Sequence, residues 1–289
     1  MVERDQEFDL RLASGRMHAR QIGGPDEPLV ILLHGLSAHL HGFDYLVERL
    51  AAPDRQLVAL DLRGRGRSEI TPAGSYGLAA HARDVLEVAT LLGAERFDLV
   101  GWSMGALIGI EIAHRAPERL RRIVLIDHAG QMDGAAVARV ERGLARLETV
   151  VEQPDDYVEA VRVVSGISPW NDFWDRFFRY ELGPFGDGFK PTSSKVACLE
   201  DLADLQERDW HALWPGITMP ALLVRCLVPI AGGFIVPESE RDGLLRAAAG
   251  VQIVEVASDH YTVMQDEQAA NAIREFLDRR VGDSGGRDN

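Results

Sequence analysis

The sequence has few cysteines, and their spacing argues against a disulfide or cysteine-metal framework. Among its 289 residues only Cys198 and Cys226 are cysteines, and they do not form a CxxC motif. A chain of this length can bury a large core without disulfides or a metal. We therefore predict two buried thiols in a reducing, cytoplasmic setting rather than a bridge.

Long apolar runs and an excess of basic residues are also absent. No stretch approaches the roughly 20 apolar residues of a membrane span, and the charged start, Met1–Glu7, lacks the apolar run of a signal peptide. Acidic residues outnumber basic ones by 45 to 31, for a net charge of −14, which opposes binding to nucleic acid and anionic membranes. We expect a soluble protein that binds a small molecule, and the oligomeric state stays open. The tail, residues 282–289, is rich in Gly, Asp and Arg, which predicts disorder.

What is present is an alternation of short apolar runs and helical patterns, typical of a parallel sheet built from βαβ units. Phe8–Leu12 and Met17–Ile22 flank Ser14-Gly15 and predict an N-terminal hairpin. Six later runs predict buried strands: Leu29–Leu33, Leu57–Leu60, Phe97–Val100, Ile123–Ile126, Ala221–Val224 and Val251–Val256. Helical spacing predicts helices over Leu78–Leu92, Ser103–Arg115 and Gln268–Arg279. The predicted fold is α/β, with a mostly parallel eight-stranded sheet flanked by helices.

Residues 130–214 interrupt this alternation with helical patterns and no convincing strand. Ligands of doubly wound folds bind at the carboxyl edge of the sheet, which a helical insertion after the sixth strand would cover. We therefore predict a core of residues 1–129 and 215–289 and a helical cap of residues 130–214. One helical stripe of aromatic residues either packs the cap onto the core or lines a pocket: Trp170, Phe173, Trp174, Phe177 and Phe178.

The strongest chemical signal is Gly101-Trp-Ser103-Met-Gly105, which matches G-x-S-x-G between a predicted strand and a predicted helix. In that setting the serine sits on a sharp turn with its hydroxyl above the sheet. The helix N-terminus beneath it offers free N–H groups for developing negative charge. Ser103 is therefore the predicted nucleophile.

Two further segments complete a candidate site. His34-Gly35-Leu36 follows a strand and resembles a turn that supplies half of an oxyanion hole, which predicts the backbone N–H groups of Leu36 and Met104 as donors. His260 follows the last predicted strand and is the predicted general base. The other histidines lack this context and are interpreted as surface or structural: His18, His34, His81, His114, His128 and His211.

The sequence gives weak support to two other kinds of site, a metal site and a phosphate-binding loop. His39 and His41 lie near His34, but no cysteine or carboxylate stands at metal-ligand spacing beside them. The glycines of Asp61–Ser68 invite a phosphate-cradle interpretation, but the spacing is not G-x-G-x-x-G. We interpret this loop as a structural turn and expect neither metal nor cofactor.

Taken together, the strand order, H-G-L, D-L-R-G-R-G-R-S, G-W-S-M-G and the late S-D-H resemble the α/β-hydrolase superfamily over nearly the whole chain outside the predicted cap. In the commonest pattern of that superfamily an acid follows the penultimate strand. Here residues 225–237 contain no carboxylate, whereas Asp127 stands at the end of the sixth strand, the known alternative position. The resemblance implies Asp127 as the acid, ahead of Glu238 and then Asp133. Asp259 is too close in sequence to orient His260.

The nucleophile position separates reaction classes within the superfamily. Relatives that form alkyl esters have Asp there, whereas Ser103 suits attack on a carbonyl. The resemblance implies hydrolysis of a small ester, amide or lactone. The alternatives are carbon–carbon bond hydrolysis, cofactor-free chemistry, or a non-catalytic ligand-binding receptor on the same fold. The chain also resembles amidohydrolases that cleave (E)-2-(acetamidomethylene)succinate; such a dicarboxylate would need arginines from the cap, for which the candidates are Arg142, Arg146, Arg162, Arg176 and Arg179.

Overall fold

The computed structural model describes residues 5–279, and a central sheet runs through this part of the chain. The strands within these residues are β1 (Asp5–Leu12), β2 (Gly15–Ile22), β3 (Leu29–Leu33), β4 (Gln56–Leu60), β5 (Phe97–Trp102), β6 (Leu120–Ile126), β7 (Leu182–Phe185), β8 (Gly188–Pro191), β9 (Ala221–Cys226) and β10 (Val251–Val256). Its helices are α1 (Asp44–Leu50), α2 (Leu78–Leu91), α3 (Met104–Arg115), α4 (Gly134–Gly143), α5 (Pro154–Ser165), α6 (Asp172–Tyr180), α7 (Lys195–Glu207), α8 (Trp210–Leu213), α9 (Glu238–Ala247) and α10 (Glu267–Asp278). The tail with predicted disorder, residues 282–289, lies outside the described residues.

Eight of these strands form one sheet in the order β1-β2-β4-β3-β5-β6-β9-β10. β2 pairs antiparallel with β1 and β4, while the pairs from β4 through to β10 are parallel. The predicted mostly parallel eight-stranded sheet is therefore confirmed, with the hairpin and the six core strands at their predicted places.

The central strands are continuous apolar runs because helices cover both faces of the sheet. Ile31 and Leu33 pack in a cluster that includes side chains of α2 and α3, whereas Val30 and Leu32 pack in a second cluster with α1 and α10. No helix within residues 5–279 is both long and apolar enough to cross a membrane.

Helices α4 to α8 lie between β6 and β9, in the segment of residues 130–214, which we call the insertion. The prediction that the insertion contains no strand was wrong, because β7 and β8 pair there as a separate antiparallel hairpin. Each strand has four residues, and together they contain glycines, prolines and a lysine but no β-branched residue. Apart from one phenylalanine in each strand, this segment lacks the composition by which strands are identified in a sequence.

The topology brings four predicted site residues to one edge of the sheet. Leu36, Ser103, Asp127 and His260 each follow the carboxyl end of a strand, β3, β5, β6 and β10 respectively. Carboxyl ends of parallel strands meet at the same edge, where open α/β sheets bind their ligands.

Candidate active site

Ser103 occupies a strained turn between β5 and α3. Its backbone has φ 56° and ψ −121°, a conformation that side chains other than glycine seldom adopt. The N–H of Ser103 donates to the carbonyl of Ile126 at 2.9 Å. A Cβ on Gly105 would lie 1.9 Å from the carbonyl oxygen of Leu33, so only glycine fits there. The predicted helix started at Ser103; in the structure it starts at Met104, and Ser103 is the turn residue before it.

His260 lies on the loop that follows β10, within hydrogen-bond distance of Ser103. Its Nε2 is 2.9 Å from Ser103 Oγ, a geometry in which the imidazole can accept the hydroxyl proton. The neighbouring Asp259 turns away from the ring, because its Oδ1 accepts the backbone N–H groups of Tyr261 and Thr262, both at 2.8 Å. Asp259 therefore shapes the loop that carries His260.

Asp127 is the carboxylate that contacts His260. Its Oδ2 lies 2.9 Å from His260 Nδ1, and its Oδ1 accepts the N–H of Cys226 at 2.9 Å. Asp127 is buried and adopts φ 46°, which Asp and Asn tolerate better than other side chains. Of the alternatives, Glu238 is exposed in the first turn of α9, and Asp133 accepts the N–H of Phe234 at 2.8 Å. The structure thus brings Asp127, and not Glu238 or Asp133, to His260.

The loop that contains Leu36 lies directly against the Ser103 side chain. A Cβ built on Gly35 would lie 3.2 Å from Ser103 Cβ and 3.6 Å from its Oγ. His34 holds this loop from behind: its Nδ1–H donates to the carbonyl of Gly35 at 2.7 Å, and its Nε2 accepts the N–H of Leu62 at 3.0 Å. Burial lowers the pKa of His34 to about 3, so its ring is neutral and structural.

A cavity of about 620 Å³ opens above Ser103 and His260. Core residues Trp102 and Ala38 form one part of its wall, and insertion residues Ile167, Phe177 and Phe178 form another. Of the predicted aromatic stripe, Phe177 and Phe178 are both buried in the core cluster and exposed to this cavity, so the two interpretations of the stripe both apply to them. Trp170, Phe173 and Trp174 do not line the cavity.

Arginines of the insertion line the same cavity. From the predicted set, Arg142 and Arg146 do so, whereas Arg162, Arg176 and Arg179 are exposed elsewhere. The guanidinium of Arg146 already has partners within the protein. Its Nη2 contacts Glu181 Oε1 at 2.6 Å and donates to the carbonyl of Ser37 at 3.1 Å.

Sequence reasoning missed two contributors to the site. Arg139 lines the cavity and lies one helical turn before Arg142 on α4. The three-residue spacing of these arginines was visible in the sequence and could have indicated that Arg139 lies beside Arg142 on a helix. Trp102 also lines the cavity, and its indole donates to the backbone of His260. No local pattern reveals that contact.

The remaining polar motifs have structural partners. His39 Nε2–H donates to the carbonyl of Phe177 at 2.8 Å, while His41 Nδ1 pairs with Asp44 at 3.0 Å. Within residues 5–279 no group of His, Cys, Asp and Glu has the arrangement of a metal site. Asp61 is buried and accepts the N–H groups of Leu40 and Arg67, both at 2.8 Å, so its loop is a structural turn. Cys198 and Cys226 are both free and buried.

Comparison with known proteins identifies the family. The alpha/beta hydrolase fold family matches residues 28–225, more than half of the chain. The chain therefore belongs to the alpha/beta hydrolase fold family, as the sequence predicts, and its relatives are named as enzymes.

Individual relatives agree with this assignment. N-formylmaleamate deformylase from Pseudomonas putida is 28% identical over 77% of each chain. 2-(Acetamidomethylene)succinate hydrolase from Mesorhizobium japonicum is 26% identical over 87% of this chain and 88% of that protein. The crystal structure of E-2-(acetamidomethylene)succinate hydrolase has a TM-score of 0.84 at 24% identity, covering 96% of this chain and all of the other, which shows a shared fold. The chain spans about half the length of several other curated relatives that it matches.

Proposed function

We propose that this hydrolase cleaves a small-molecule acyl bond, in an ester, amide or lactone, through an acyl-enzyme on Ser103. One observation carries the proposal: a continuous hydrogen-bonded chain runs from Asp127 through His260 to Ser103, with both contacts at 2.9 Å. Asp127 accepts a hydrogen bond from the Nδ1–H of His260, which leaves Nε2 unprotonated and able to accept the serine proton.

The chemistry follows from these contacts. Ser103 Oγ attacks the carbonyl carbon while its proton passes to His260 Nε2, and Asp127 stabilises the imidazolium that forms. The oxyanion accepts hydrogen bonds from the N–H groups of Leu36 and Met104. As the intermediate collapses, the leaving group departs with the proton from His260. Water then attacks the acyl-enzyme, passing its proton to His260, and the second collapse releases the acid and restores Ser103.

In this proposal the insertion acts as a cap that selects the substrate. It supplies much of the cavity wall, including the apolar side chains of Phe177 and Phe178 and the arginines of α4. Because these walls are apolar around a few polar groups, the cavity suits a small organic molecule.

The charges around the cavity favour a substrate that carries a carboxylate. Among its described lining residues none is acidic, although the chain as a whole has a net charge of −14. Within residues 5–279 Arg142 takes part in no ion pair, so its guanidinium is available to a ligand. The relatives named for N-formylmaleamate and 2-(acetamidomethylene)succinate act on carboxylates, which agrees with this choice.

Labelling with a fluorophosphonate probe tests the nucleophile. We expect the wild type to react and Ser103→Ala to remain unlabelled, because the probe requires an activated serine. Ser165→Ala is the matched control, since Ser165 also lines the cavity but is not within the hydrogen-bonded chain. A labelled Ser103→Ala protein, or a folded wild type that neither reacts nor hydrolyses p-nitrophenyl esters, lactones or N-acyl compounds, would overturn the proposal.

A further inference from the structure

The backbone carbonyl of Leu36 is held by two buried side chains. Arg65 Nε donates to it at 2.9 Å and Cys198 Sγ donates at 3.4 Å. Arg65 and Cys198 are both fully buried. The preceding carbonyl, that of Gly35, accepts His34 Nδ1–H at 2.7 Å and the N–H of Ala38 at 3.2 Å.

These contacts fix the direction of the Leu36 N–H. In a planar trans peptide the N–H points opposite to the carbonyl of the same unit, so holding the Gly35 oxygen from behind turns the Leu36 N–H the other way. The contacts to the Leu36 oxygen fix the next peptide unit as well. The two consecutive peptide units therefore cannot rotate together. An oxyanion donor is effective only when its direction is set before the reaction.

Arg65 is itself held by the insertion. Its Nη2 lies 2.6 Å from Asp201 Oδ2, and its Nη1 donates to the carbonyl of Arg63 at 3.0 Å. Asp201 stands on α7 and also contacts His81 Nε2 at 2.9 Å. Burial opposes ionisation of Asp201, but the charge of Arg65 and the contact with His81 outweigh it and hold the pKa of Asp201 below its usual range.

We propose that Arg65 is a positioning residue that orients the Leu36 amide toward the oxyanion, and that Asp201 makes the insertion a part of this device. The inference rests on the proposed function, since it concerns the oxyanion donor of that reaction. A buried ion pair adds little net stability compared with packed apolar residues. The contact of Arg65 with the Leu36 carbonyl gives the Arg65–Asp201 pair a different role, which is to set the direction of the oxyanion loop.

The same loop offers a matched control. Arg63, two residues before Arg65, is also nearly buried and forms an ion pair with Asp84, with Nε 2.6 Å from Oδ2. Its other contacts are to the carbonyls of Ser75 and Ala80, away from Leu36. Arg63→Lys and Arg65→Lys therefore make the same change in two buried pairs, of which only one touches the oxyanion loop.

The experiment compares p-nitrophenyl acetate with its thionoester, in which sulfur replaces the carbonyl oxygen. Sulfur is a weak hydrogen-bond acceptor, so only the oxygen ester profits fully from well-oriented donors. A lysine can keep the charge beside Asp201 but lacks the fixed fork that also reaches Leu36. We expect Arg65→Lys to lower kcat for the oxygen ester about 10-fold, less than the loss of a whole oxyanion donor, with KM nearly unchanged. The ratio of oxygen-ester to thionoester rates should fall by a similar factor.

Arg63→Lys should keep the wild-type ratio of the two rates, even if its melting temperature falls as much as that of Arg65→Lys. Equal ratios in wild type and folded Arg65→Lys would overturn this inference. If Arg65→Lys does not fold, Cys198→Ala removes the second donor to Leu36 without leaving a buried charge, and an unchanged ratio there would also count against it. Labelling of the wild-type Ser103 separates the two claims: a labelled enzyme with an unchanged ratio leaves the proposed function standing, whereas an unlabelled one removes both.

Discussion

The indole Nε1–H of Trp102 donates a hydrogen bond of 3.0 Å to the backbone carbonyl of His260. Trp102 is the last residue of β5, directly before Ser103. The centroid of its ring lies 5.8 Å from the centroid of the His260 imidazole. The residue before the proposed nucleophile therefore holds the loop that carries the proposed base. Small shifts of this loop alter the alignment on which proton transfer depends.

Replacing Trp102 by Phe should slow the reaction more than it destabilises the fold. The variant keeps most of the aromatic surface but loses one buried hydrogen bond, worth about 1 kcal/mol. We expect kcat/KM for p-nitrophenyl acetate to fall about 5-fold to 10-fold, in proportion to the free energy of that contact. Trp170→Phe is the control, because Trp170 also loses an indole hydrogen bond, to Asp175, but does not line the cavity. Equal activity losses in the two variants would contradict the positioning role.

Replacing Asp127 by Asn should reduce kcat by at least about 100-fold while the fold is kept, since the template triad loses about 10⁴-fold on the same change. Asn tolerates the positive φ of this position and its oxygen can still accept the N–H of Cys226. Its amide would donate to His260 Nδ1, which forces the proton onto Nε2 and blocks acceptance from Ser103. Glu238→Gln should retain full activity. If Glu238→Gln abolished turnover and Asp127→Asn did not, the assignment of the acid would be wrong.

Adding a methyl group at Gly35 should disturb the site without unfolding the protein. The new Cβ would lie 3.2 Å from Ser103 Cβ, closer than side chains normally pack, so Ser103 or the Leu36 loop must move by a few tenths of an ångström. We expect Gly35→Ala to lower kcat about 10-fold or more, because misplacement of reacting groups is costly. Gly134→Ala is the control, since a Cβ there meets nothing within 4 Å. An unchanged kcat in Gly35→Ala would argue against the close approach.

Neutralising Arg142 should weaken the preference for a carboxylate. We compare p-nitrophenyl butyrate with p-nitrophenyl hemisuccinate, whose acyl group is of similar length but ends in a carboxylate. Arg142→Gln should lower the ratio of their kcat/KM values about 10-fold, the loss of one charge-assisted contact. Arg162→Gln should leave the ratio unchanged, because Arg162 is exposed on α5 and pairs with Glu159. A wild type that prefers the butyrate would refute the carboxylate proposal.

Buried neutral histidines should make the fold sensitive to acid. Burial lowers the pKa of His128 from 6.5 to about 3, as it does for His34. Between pH 6.5 and about pH 3 each of these histidines is protonated in the unfolded chain but neutral in the folded chain. The free energy of unfolding therefore falls as the pH falls through this range. Each such group contributes a slope of about 1.4 kcal/mol per pH unit within this window.

His128→Gln should therefore reduce the pH dependence of the free energy of unfolding, measured with urea between pH values of about 4.5 and 6.5, by close to one proton. His114→Gln, at an exposed position of α3, should leave the slope as it is in the wild type. A slope unchanged by His128→Gln would show that this histidine is protonated in the folded state.

The sequence by itself determined the sheet and the turn at Ser103. Strands such as Leu29–Leu33 are buried on both faces, and a double-sided strand must be a continuous apolar run, which any window of sequence displays. The turn at Ser103 is equally recognisable, because its pattern spans only five residues. The contact that requires Gly105, with Leu33 of β3, is seen only in the structure. The hairpin of β7 and β8 was missed because its two strands are short and contain glycine and proline, which are uncommon in strands.

Only the tertiary structure decided which side chains meet. Asp127 and Glu238 were both open as partners of His260, and the choice depended on which carboxylate reaches an atom 133 residues away in the chain. The contacts of Arg65 with Leu36 and of Trp102 with His260 are of the same kind. Their partners come from different strands and loops, and hydrogen bonds fall off within tenths of an ångström and tens of degrees. Local patterns fix the elements, but such distances and angles exist only after the elements have packed.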